Sequence, residues 1–314
     1  MVKIPKNFLV TGCCGFIGSN MCNFLVERKY NVIGIDNLLT GNIINIKHLL
    51  KNKLFKFIEE DVCNELDINY KIDQILHFAS TASPNDYLKY PIKTLQIGSK
   101  GTENILKLGL KNKATVLVAS TSEVYGDPLV HPQDELYFGN VNTIGPRGVY
   151  DEAKRYLEAI TMAYHKKKHL NIRIARIFNT YGPGMRKDDG RAIPNFICQA
   201  LKNDDLTIYG DGKQTRSFCY IDDTLLGIYK LLKTNYQYPV NIGNPSEYTI
   251  IDLVHIIQEM TKSKSKIKYH DLPENDPKLR KPNIDLAKKL LSWEPEIDLH
   301  NGLNKTINYF YNVL

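Results

Sequence analysis

The feature that most constrains the fold is a glycine-rich turn between a short apolar strand and a helix. The strand is predicted over Asn7–Thr11 and the helix over roughly Phe16–Arg28. Glycines at positions 12, 15 and 18 follow G-x-x-G-x-x-G spacing. Gly12 permits a tight turn, Gly15 lets the backbone approach a pyrophosphate, and Gly18 allows close packing of helix and strand. A lone glycine triplet says little, but this strand–turn–helix order is typical of a dinucleotide-binding sheet.

An acidic residue at the end of the second strand indicates the cofactor. That strand is predicted over Asn31–Asp36, and Asp36 follows Gly12 by 24 residues. A carboxylate at this position can accept hydrogen bonds from both ribose hydroxyls and would repel a 2′-phosphate. The helix N-terminus supplies N–H donors and a positive dipole for the phosphates. We therefore expect NAD rather than NADP. The alternative is that Asp36 is only a turn residue in Asp36-Asn37.

The chain then continues to alternate between strands and helices. Further strands are predicted over Leu54–Ile58, Gln74–Ala79, Thr115–Ser120 and Leu170–Phe178, with helices near Ile92–Leu110 and Arg147–Lys168. This order predicts an α/β fold with a Rossmann-type, doubly wound parallel sheet that is covered on both faces. Apolar and polar residues alternate in Leu170–Phe178, which favours a strand nearer the edge of the sheet.

The composition of the chain changes after Asn179. The segment Thr180–Gly190 is rich in glycine, proline and charged residues, as loops are. Beyond it we predict helices over Ala192–Leu201, Asp222–Leu232, Thr249–Met260 and Ile284–Leu291, strands over Leu206–Tyr209 and Val240–Ile242, and a polar loop over Asp271–Pro282. These elements predict a second, smaller mixed α/β lobe. We assign residues 1–178 and about 215–242 to the cofactor domain, and about 179–214 and 243–314 to the second lobe.

Charge excludes one class of partner. The 41 lysines and arginines exceed the 34 acidic residues by seven, but they are mostly scattered. Because no aromatic-and-basic array is present, we expect no nucleic-acid partner. The positive balance suits an anionic small substrate.

Cysteines and histidines give no metal signature. The six cysteines, at positions 13, 14, 22, 63, 198 and 219, form no C-x-x-C pair, so neither a zinc site nor a disulfide framework is predicted. His165 and His169 have helical spacing, but exposed residues at a helix end explain them more simply. No apolar run nears the ~20 residues that span a membrane, and no signal peptide is recognised. We expect a soluble, cytoplasmic protein without a membrane partner.

Tyr150 and Lys154 form the first motif that carries chemistry. Four residues apart on a helix, they share one face. An ammonium beside a phenol favours the phenolate and is expected to lower the tyrosine pKa from its usual value of about 10. Tyr150 would then serve as a base. The motif alone would usually be a surface pair, but Glu123 lies upstream in Ala119-Ser120-Thr121-Ser122-Glu123 and adds a carboxyl group.

The chain resembles the extended short-chain dehydrogenase/reductase family, and within it the UDP-glucuronate decarboxylases, from about Phe8 to the C-terminus. The most specific stretches are ASTSEVYGDPLVH (119–131), residues 142–155, ARIFNTYGP (175–183) and DPKLRKP (276–282). The resemblance implies NAD-dependent decarboxylation of UDP-glucuronate to UDP-xylose through a UDP-4-keto intermediate, with NAD recycled in the site. It also implies a homodimer that packs through the Ile92–Leu110 and Arg147–Lys168 helices, and a second lobe that binds the nucleotide sugar.

The same resemblance implies roles for individual residues. Tyr150 would take the proton of the sugar 4-hydroxyl, Lys154 would hold the nicotinamide ribose, and Thr121 would bond the reacting oxygen. Ser122, Glu123 and Arg280 match further catalytic positions, and the division of roles among them is open. The cofactor positions are Gly12, Gly15, Phe16, Ile17, Gly18, Asp36, Asn37, Thr40, Gly41, Asp61, Val62, Phe78, Ala79, Ser80, Thr94, Ser120, Tyr150, Lys154 and Thr180. The substrate positions are Tyr87 and Lys93 near the sugar and its charges, Asn179, Arg191 and Arg216 at the nucleotide and diphosphate, Tyr209 at the uracil, and Arg280.

Departures from the family pattern leave alternatives open. Cys13-Cys14 replaces the common Gly-Ala, Gly98 lies in an altered helix segment, Thr81 replaces a common proline, and Gly184 replaces a common arginine. A nucleotide-sugar 4,6-dehydratase would carry an Asp-Glu pair where this chain has Ser122-Glu123. A 4-epimerase needs no glutamate there, and a non-catalytic NAD(H)-sensing scaffold would often lack the tyrosine or lysine.

Overall fold

A computed structural model describes residues 7–272 and 279–314. Its strands, numbered along the chain, are β1 Asn7–Thr11, β2 Asn31–Asp36, β3 Phe55–Glu59, β4 Gln74–His77, β5 Thr115–Thr121, β6 Ile172–Ile177, β7 Thr180–Tyr181, β8 Leu206–Tyr209, β9 Thr215–Ser217, β10 Cys219–Tyr220, β11 Pro239–Ile242, β12 Glu247–Thr249 and β13 Ile267–His270. Its α-helices are α1 Phe16–Glu27, α2 Pro84–Lys89, α3 Pro91–Gln96, α4 Thr102–Asn112, α5 Gly148–Lys168, α6 Ala192–Lys202, α7 Ile221–Leu232, α8 Ile250–Thr261, α9 Asp285–Leu291 and α10 Leu299–Val313.

Seven strands form one parallel sheet in the order β11-β6-β5-β4-β1-β2-β3. The order reverses direction at β1, which confirms the predicted doubly wound, Rossmann-type fold. Strand β11 joins this sheet although it follows β7–β10 in sequence, so the chain returns to the first domain after leaving it. The boundaries assigned to the two lobes stay a prediction.

Alternating residues of the central strands serve two separate cores. On β1, Phe8 and Val10 pack into one apolar cluster and Leu9 into the other. Side chains of successive strand residues point to opposite faces, so both faces of the sheet are covered. The first cluster includes residues of α1 and α7, and the second includes residues of α4 and α5.

Strand β6 is second from one edge of the sheet, near the edge as predicted, and β11 pairs outside it in parallel. Its polar positions do not face water: Arg173 is 1% exposed and Arg176 pairs with Glu158 at 2.8 Å. The alternation therefore reflects buried arginines that donate hydrogen bonds to oxygen acceptors: the Glu158 carboxylate for Arg176, and the Ile172 and Thr234 carbonyl oxygens for Arg173.

The helix predicted near Ile92–Leu110 is interrupted. A π-helical turn over Ile97–Gly101 separates α3 from α4. Gly98 lies against α5, where an added Cβ would meet the Cβ and the carbonyl oxygen of Ala153 at 2.8 Å. Because Ala153 precedes Lys154, this close contact helps to fix the position of the catalytic candidates on α5.

The second lobe is built from short elements. Two-stranded sheets pair β7 with β10, β9 with β12 and β8 with β13, and helices α6, α8 and α10 pack on one another. Sequence patterns did not predict α10 or the two- and three-residue strands. The predicted loop Asp271–Pro282 and the resemblance at 276–282 lie partly outside the described residues. No helix in the described ranges combines the length and apolar character needed to cross a bilayer.

Candidate active site

The glycine turn forms the floor of a cleft at the carboxyl ends of the central strands. Gly12 has φ +69°, and a Cβ there would lie 2.8 Å from the Ala79 nitrogen. A Cβ on Gly18 would lie 2.0 Å from the Gly12 carbonyl oxygen. Side chains at these positions would force the turn apart, which explains the glycines.

Helix α1 begins at this turn with its positive end towards the cleft. Gly15 is the N-cap, no side chain caps the helix, and residues 15–18 line the cleft. Backbone N–H groups at an uncapped helix start bind phosphate well. The geometry fits a pyrophosphate.

Asp36 lies beside the turn, with its carboxylate held by the backbone. Its Oδ2 accepts a hydrogen bond from the Cys14 N–H at 2.9 Å, and its Oδ1 accepts one from the Leu38 N–H at 2.9 Å. Burial raises its pKa from the usual value, although these hydrogen bonds oppose the rise. The carboxylate is oriented in the same cleft and suits a ribose diol.

Lys93, which was predicted near the sugar and its charges, forms an ion pair with Asp61. Its Nζ pairs with Asp61 Oδ2 at 2.6 Å, and the Asn37 amide donates to the same oxygen at 2.9 Å. Burial opposes ionisation of Asp61, but hydrogen bonds from Lys93, Cys63 and Asn37 lower its pKa to about 2. Lys93 thus lies beside Asp61 and Asn37, two residues predicted at the cofactor, and its role at the sugar stays a prediction.

Tyr150 and Lys154 share a buried face of α5. Tyr150 is 7% exposed and stacks on Tyr87 with ring centroids 5.2 Å apart. Lys154 is 4% exposed; its Nζ donates to the Ala119 carbonyl oxygen at 2.8 Å and lies 5.7 Å from the Tyr150 ring centroid. Both side chains line the cleft, together with Thr121.

The pKa of Tyr150 shifts in the direction opposite to the prediction. Burial and the Glu123 charge raise it above the usual value, and a hydrogen bond with Thr121 opposes the rise only in part. Burial also lowers the pKa of Lys154 to about 8. Sequence spacing shows proximity but not burial, and burial is the larger effect here.

Glu123 is held between two arginines. Arg280 Nη1 and Nη2 lie 2.8 and 3.0 Å from its two carboxylate oxygens, and Arg147 Nη2 lies 2.6 Å from Oε2. Burial opposes ionisation, but Arg280 and Arg147 together lower the pKa of Glu123 to about 2. Glu123 therefore stays ionised. The structure brings Glu123 and Arg280 together across 157 positions of sequence.

Arg147 and Asp151 are site residues that sequence reasoning missed. Arg147 lies one turn before Tyr150, a spacing that could have indicated it. Asp151 is 5% exposed, and its Oδ1 has no hydrogen-bond partner within the described part of the chain. Burial and the Glu123 charge raise its pKa to about 7.

Most of the other predicted residues line the same cleft. These are Phe16, Ile17, Asn37, Thr40, Gly41, Asp61, Val62, Phe78, Ala79, Ser80, Ser120, Ser122, Asn179, Thr180 and Arg191. Six predicted residues lie away from the lining. Tyr87, Lys93 and Arg280 each contact a lining residue, namely Tyr150, Asp61 and Glu123. Thr94 is buried in a hydrogen bond with Thr81, Arg216 is buried and its charge helps lower the pKa of Glu123, and Tyr209 is 47% exposed.

Two arginine pairs at the cleft involve the loop after β7. The Arg191 guanidinium pairs with Asp189 at 2.5 and 2.7 Å. Arg186, which was not predicted, donates to both Asp86 oxygens at 3.0 Å and to the Thr40 carbonyl oxygen at 3.0 Å. Arg186 thereby connects the loop to two other walls of the cleft.

Comparisons with known proteins agree with this geometry. The model of the GDP-mannose 4,6 dehydratase family matches residues 9–306. UDP-glucuronic acid decarboxylase 1 of Xenopus tropicalis is 47% identical over 308 residues, which cover 98% of this chain and 73% of the relative.

Solved structures of two nucleotide-sugar epimerases share the fold of this chain. Bacillus cereus UDP-glucuronic acid 4-epimerase, in complex with UDP-glucuronic acid and NAD, superposes with a TM-score of 0.87 at 29% identity, covering 98% of this chain and 100% of that one. Thermotoga maritima UDP-glucose 4-epimerase with UDP-glucose gives a TM-score of 0.90 at 26% identity, covering 98% and 99% of the two chains.

Proposed function

The chain belongs to the UDP-glucuronic acid decarboxylases of the extended short-chain dehydrogenase/reductase family, and we propose that it converts UDP-glucuronate to UDP-xylose and CO₂. The observation that carries the proposal is the buried Glu123 held between Arg147 and Arg280, in the cleft that Tyr150 and Lys154 also line. Arg147, Arg280 and Arg216 outnumber the carboxyl groups of Glu123 and Asp151, so the positive balance of these groups suits a carboxylate-bearing sugar.

NAD is the cofactor. The uncapped start of α1 suits its pyrophosphate, the oriented Asp36 carboxylate suits its adenosine ribose, and Lys154 offers an ammonium at the reacting end. When bound, NAD would supply reversible hydride transfer at C4 of the sugar.

Tyr150 takes the proton of the 4-hydroxyl in the first half of the reaction. The phenol of Tyr150 is neutral at neutral pH, because burial and Glu123 raise its pKa. The Arg191 charge lowers this pKa in part, and the Lys154 ammonium, 5.7 Å from the ring centroid, is a second cation that would stabilise the phenolate. Thr121 donates to the reacting oxygen and keeps it oriented.

Decarboxylation follows from the ketone at C4. The C5–C6 bond breaks, CO₂ leaves, and the bonding electrons pass to C5, C4 and the C4 oxygen as an enolate. Tyr150, protonated after the first step, donates a hydrogen bond to that oxygen. Because its pKa is about 2, Glu123 is no proton donor at neutral pH; it accepts hydrogen bonds from a sugar hydroxyl or from the water that protonates C5. Arg280 orients the departing carboxylate.

Two other reactions of nucleotide sugars fit the same set of site residues less well. A 4,6-dehydratase requires an acid for the departing hydroxyl, and Ser122 precedes Glu123 where an aspartate would serve. A UDP-glucuronate 4-epimerase is the stronger competitor, because the Bacillus cereus relative of that activity was solved with UDP-glucuronic acid. An epimerase must release its keto sugar for rotation, whereas the Arg280–Glu123 pair suits a fixed carboxylate.

One incubation separates these reactions. Purified protein is mixed with UDP-glucuronate and NAD⁺, and nucleotide sugars are followed by liquid chromatography and mass spectrometry. We expect a product lighter by CO₂ that comigrates with UDP-xylose, and none with Tyr150→Phe. A product of unchanged mass and altered mobility would establish epimerisation, and no product would refute both. Loss of mass with NADH accumulation would show that the 4-ketopentose escapes.

We further propose that the protein is a homodimer that packs through α3–α4 and α5. The support is apolar exposure on these helices: Ile92 is 71%, Leu95 42% and Tyr156 49% exposed. Light scattering coupled to size exclusion should give twice the chain mass of 35.9 kDa, and Ile92→Asp should shift it towards the monomer. A monomeric wild type would refute this proposal.

We also propose a reducing compartment such as the cytoplasm, with no nucleic-acid or membrane partner. All six cysteines are free in the structure, as is usual where thiols stay reduced. A fluorescent fusion that accumulates in an oxidising compartment would contradict the assignment.

A further inference from the structure

Cys13 and Cys14 place two thiols beside the carboxylate that is predicted to bind the ribose. Their sulfurs lie 3.9 Å apart, too far for a disulfide bond of about 2.05 Å. The two sulfurs and an Asp36 carboxylate oxygen all lie within 4.8 Å of one another, and all three residues are buried. The mechanism uses Asp36 but neither thiol.

The spacing matches a soft metal ion. Two thiolates at about 2.3 Å from a tetrahedral zinc ion are separated by about 3.8 Å, close to the 3.9 Å between these sulfurs. A carboxylate is the third kind of ligand that zinc accepts. We propose that Cys13, Cys14 and Asp36 form an inhibitory site for a thiophilic divalent cation such as Zn²⁺ or Cd²⁺, which competes with NAD.

Space and access also favour the site. Cys14 and Asp36 are buried but belong to the cleft lining, so the cleft is the route by which an ion would approach them. Gly41 keeps room beside them, because an added Cβ there would lie 2.9 Å from both Asp36 Oδ1 and Cys14 Cβ. Cys13 lies deeper, where its sulfur would meet a Cβ on Gly34 at 2.8 Å. Cys14 and Asp36 are therefore at the cleft lining, and Cys13 lies behind them, outside the lining.

Charge explains why such an ion would hinder NAD rather than assist it. Thiolates, not thiols, are the ligands of such an ion, so binding releases protons. The ion displaces one proton from each thiol, and the two thiolates, the Asp36 carboxylate and the ion then sum to −1, the charge that Asp36 carries alone. No attraction for the pyrophosphate is gained, and the carboxylate needed by the ribose is occupied.

The test uses the cofactor-free full chain with Cd²⁺ and Zn²⁺ as probes. Equilibrium dialysis should give one ion per chain, and Cd²⁺ should produce an ultraviolet thiolate-to-metal charge-transfer band. The band should disappear in Cys13→Ser and in Cys14→Ser and persist in Cys198→Ser, a buried thiol on α6. With bound Cd²⁺ the Kd for NAD should rise at least about tenfold in the wild type, equivalent to the loss of about one good hydrogen bond, and remain unchanged in the serine variants.

Three results would overturn the proposal: no charge-transfer band, equal metal stoichiometry in the serine variants, or an NAD Kd that ignores the bound ion. Melting curves check that each variant folds, and either serine variant alone is sufficient for the decision. Because the readouts are metal binding and NAD affinity, they are independent of which sugar nucleotide the protein decarboxylates.

Discussion

Replacing Lys154 by methionine should make the cofactor-free protein more stable. The Lys154 ammonium is buried, and its described hydrogen bond is to the Ala119 carbonyl oxygen. Burial lowers its pKa from 10.5 to about 8. At about 1.4 kcal/mol per pH unit, this shift means that keeping the charge costs the folded state about 3 kcal/mol at neutral pH. Methionine has a similar length and carries no charge, so this cost disappears.

The pH dependence has a definite sign. Below pH 8 both folded and unfolded chains hold the Lys154 proton, and the full cost is present. Between about pH 8 and 10.5 the folded chain loses this proton while the unfolded chain keeps it, so the free energy of unfolding rises with pH by about 3 kcal/mol from this group. The variant lacks this rise, and its advantage over the wild type therefore disappears towards pH 10.5.

Thermal and urea unfolding at pH 7 and pH 10 measure this difference. For a chain of this size, 3 kcal/mol corresponds to a melting temperature higher by roughly 5 °C at pH 7. Lys167→Met, an exposed lysine on the same helix, should change neither the stability nor its pH dependence. A Lys154→Met protein that is less stable than the wild type at both pH values would refute the argument that burial dominates. The variant should also bind NAD more weakly and turn over slowly.

Three other substitutions test the site. Tyr150→Phe should lower kcat by about 10²–10⁴-fold, the usual contribution of a positioned acid–base group, while the NAD Kd measured by calorimetry stays within about twofold; near-normal turnover would refute its role as base. Arg280→Met removes one of the two arginines that contact Glu123. It should lower the free energy of unfolding, measured in urea, by about 3 kcal/mol, at the low end for a broken buried pair. If the effects of Arg280→Met and Glu123→Gln were additive in a double-mutant cycle, the pairing would be contradicted. Gly18→Ala should raise the NAD Kd strongly, because its Cβ would lie 2.0 Å from the Gly12 carbonyl oxygen; unchanged affinity would show that the turn is not the cofactor floor.

The spacing of residues in the sequence was sufficient to predict the parts of the candidate site that lie on a single strand, turn or helix. The glycine turn, Asp36 at the end of β2 and the Tyr150–Lys154 face of α5 were all predictable, because strand and helix periods fix them. The sheet followed for the same reason, since strands alternating with helices have few other packings.

Contacts between distant segments were beyond sequence reasoning. Nothing local indicates that Arg147 and Arg280 converge on Glu123, and the resemblance suggested only Arg280. Nothing local indicates the ion pair between Lys93 and Asp61 either.

Burial was the second missing quantity. The pKa of Tyr150 is raised mainly because its side chain is buried away from water. Arg173 on β6 is also fully buried, which its place in an alternating pattern did not indicate. Sequence periodicity predicts which face a residue occupies but not what covers that face.

The central claim is that this cleft removes the C6 carboxyl group from UDP-glucuronate without net redox change. The most direct measurement uses UDP-glucuronate labelled with ¹³C at C6, with NAD⁺ present, and follows the label by NMR while absorbance monitors NADH. The account predicts that labelled carbon dioxide or bicarbonate appears in step with UDP-xylose and that NADH does not accumulate. Label that stays on the sugar nucleotide while an epimer forms would contradict it.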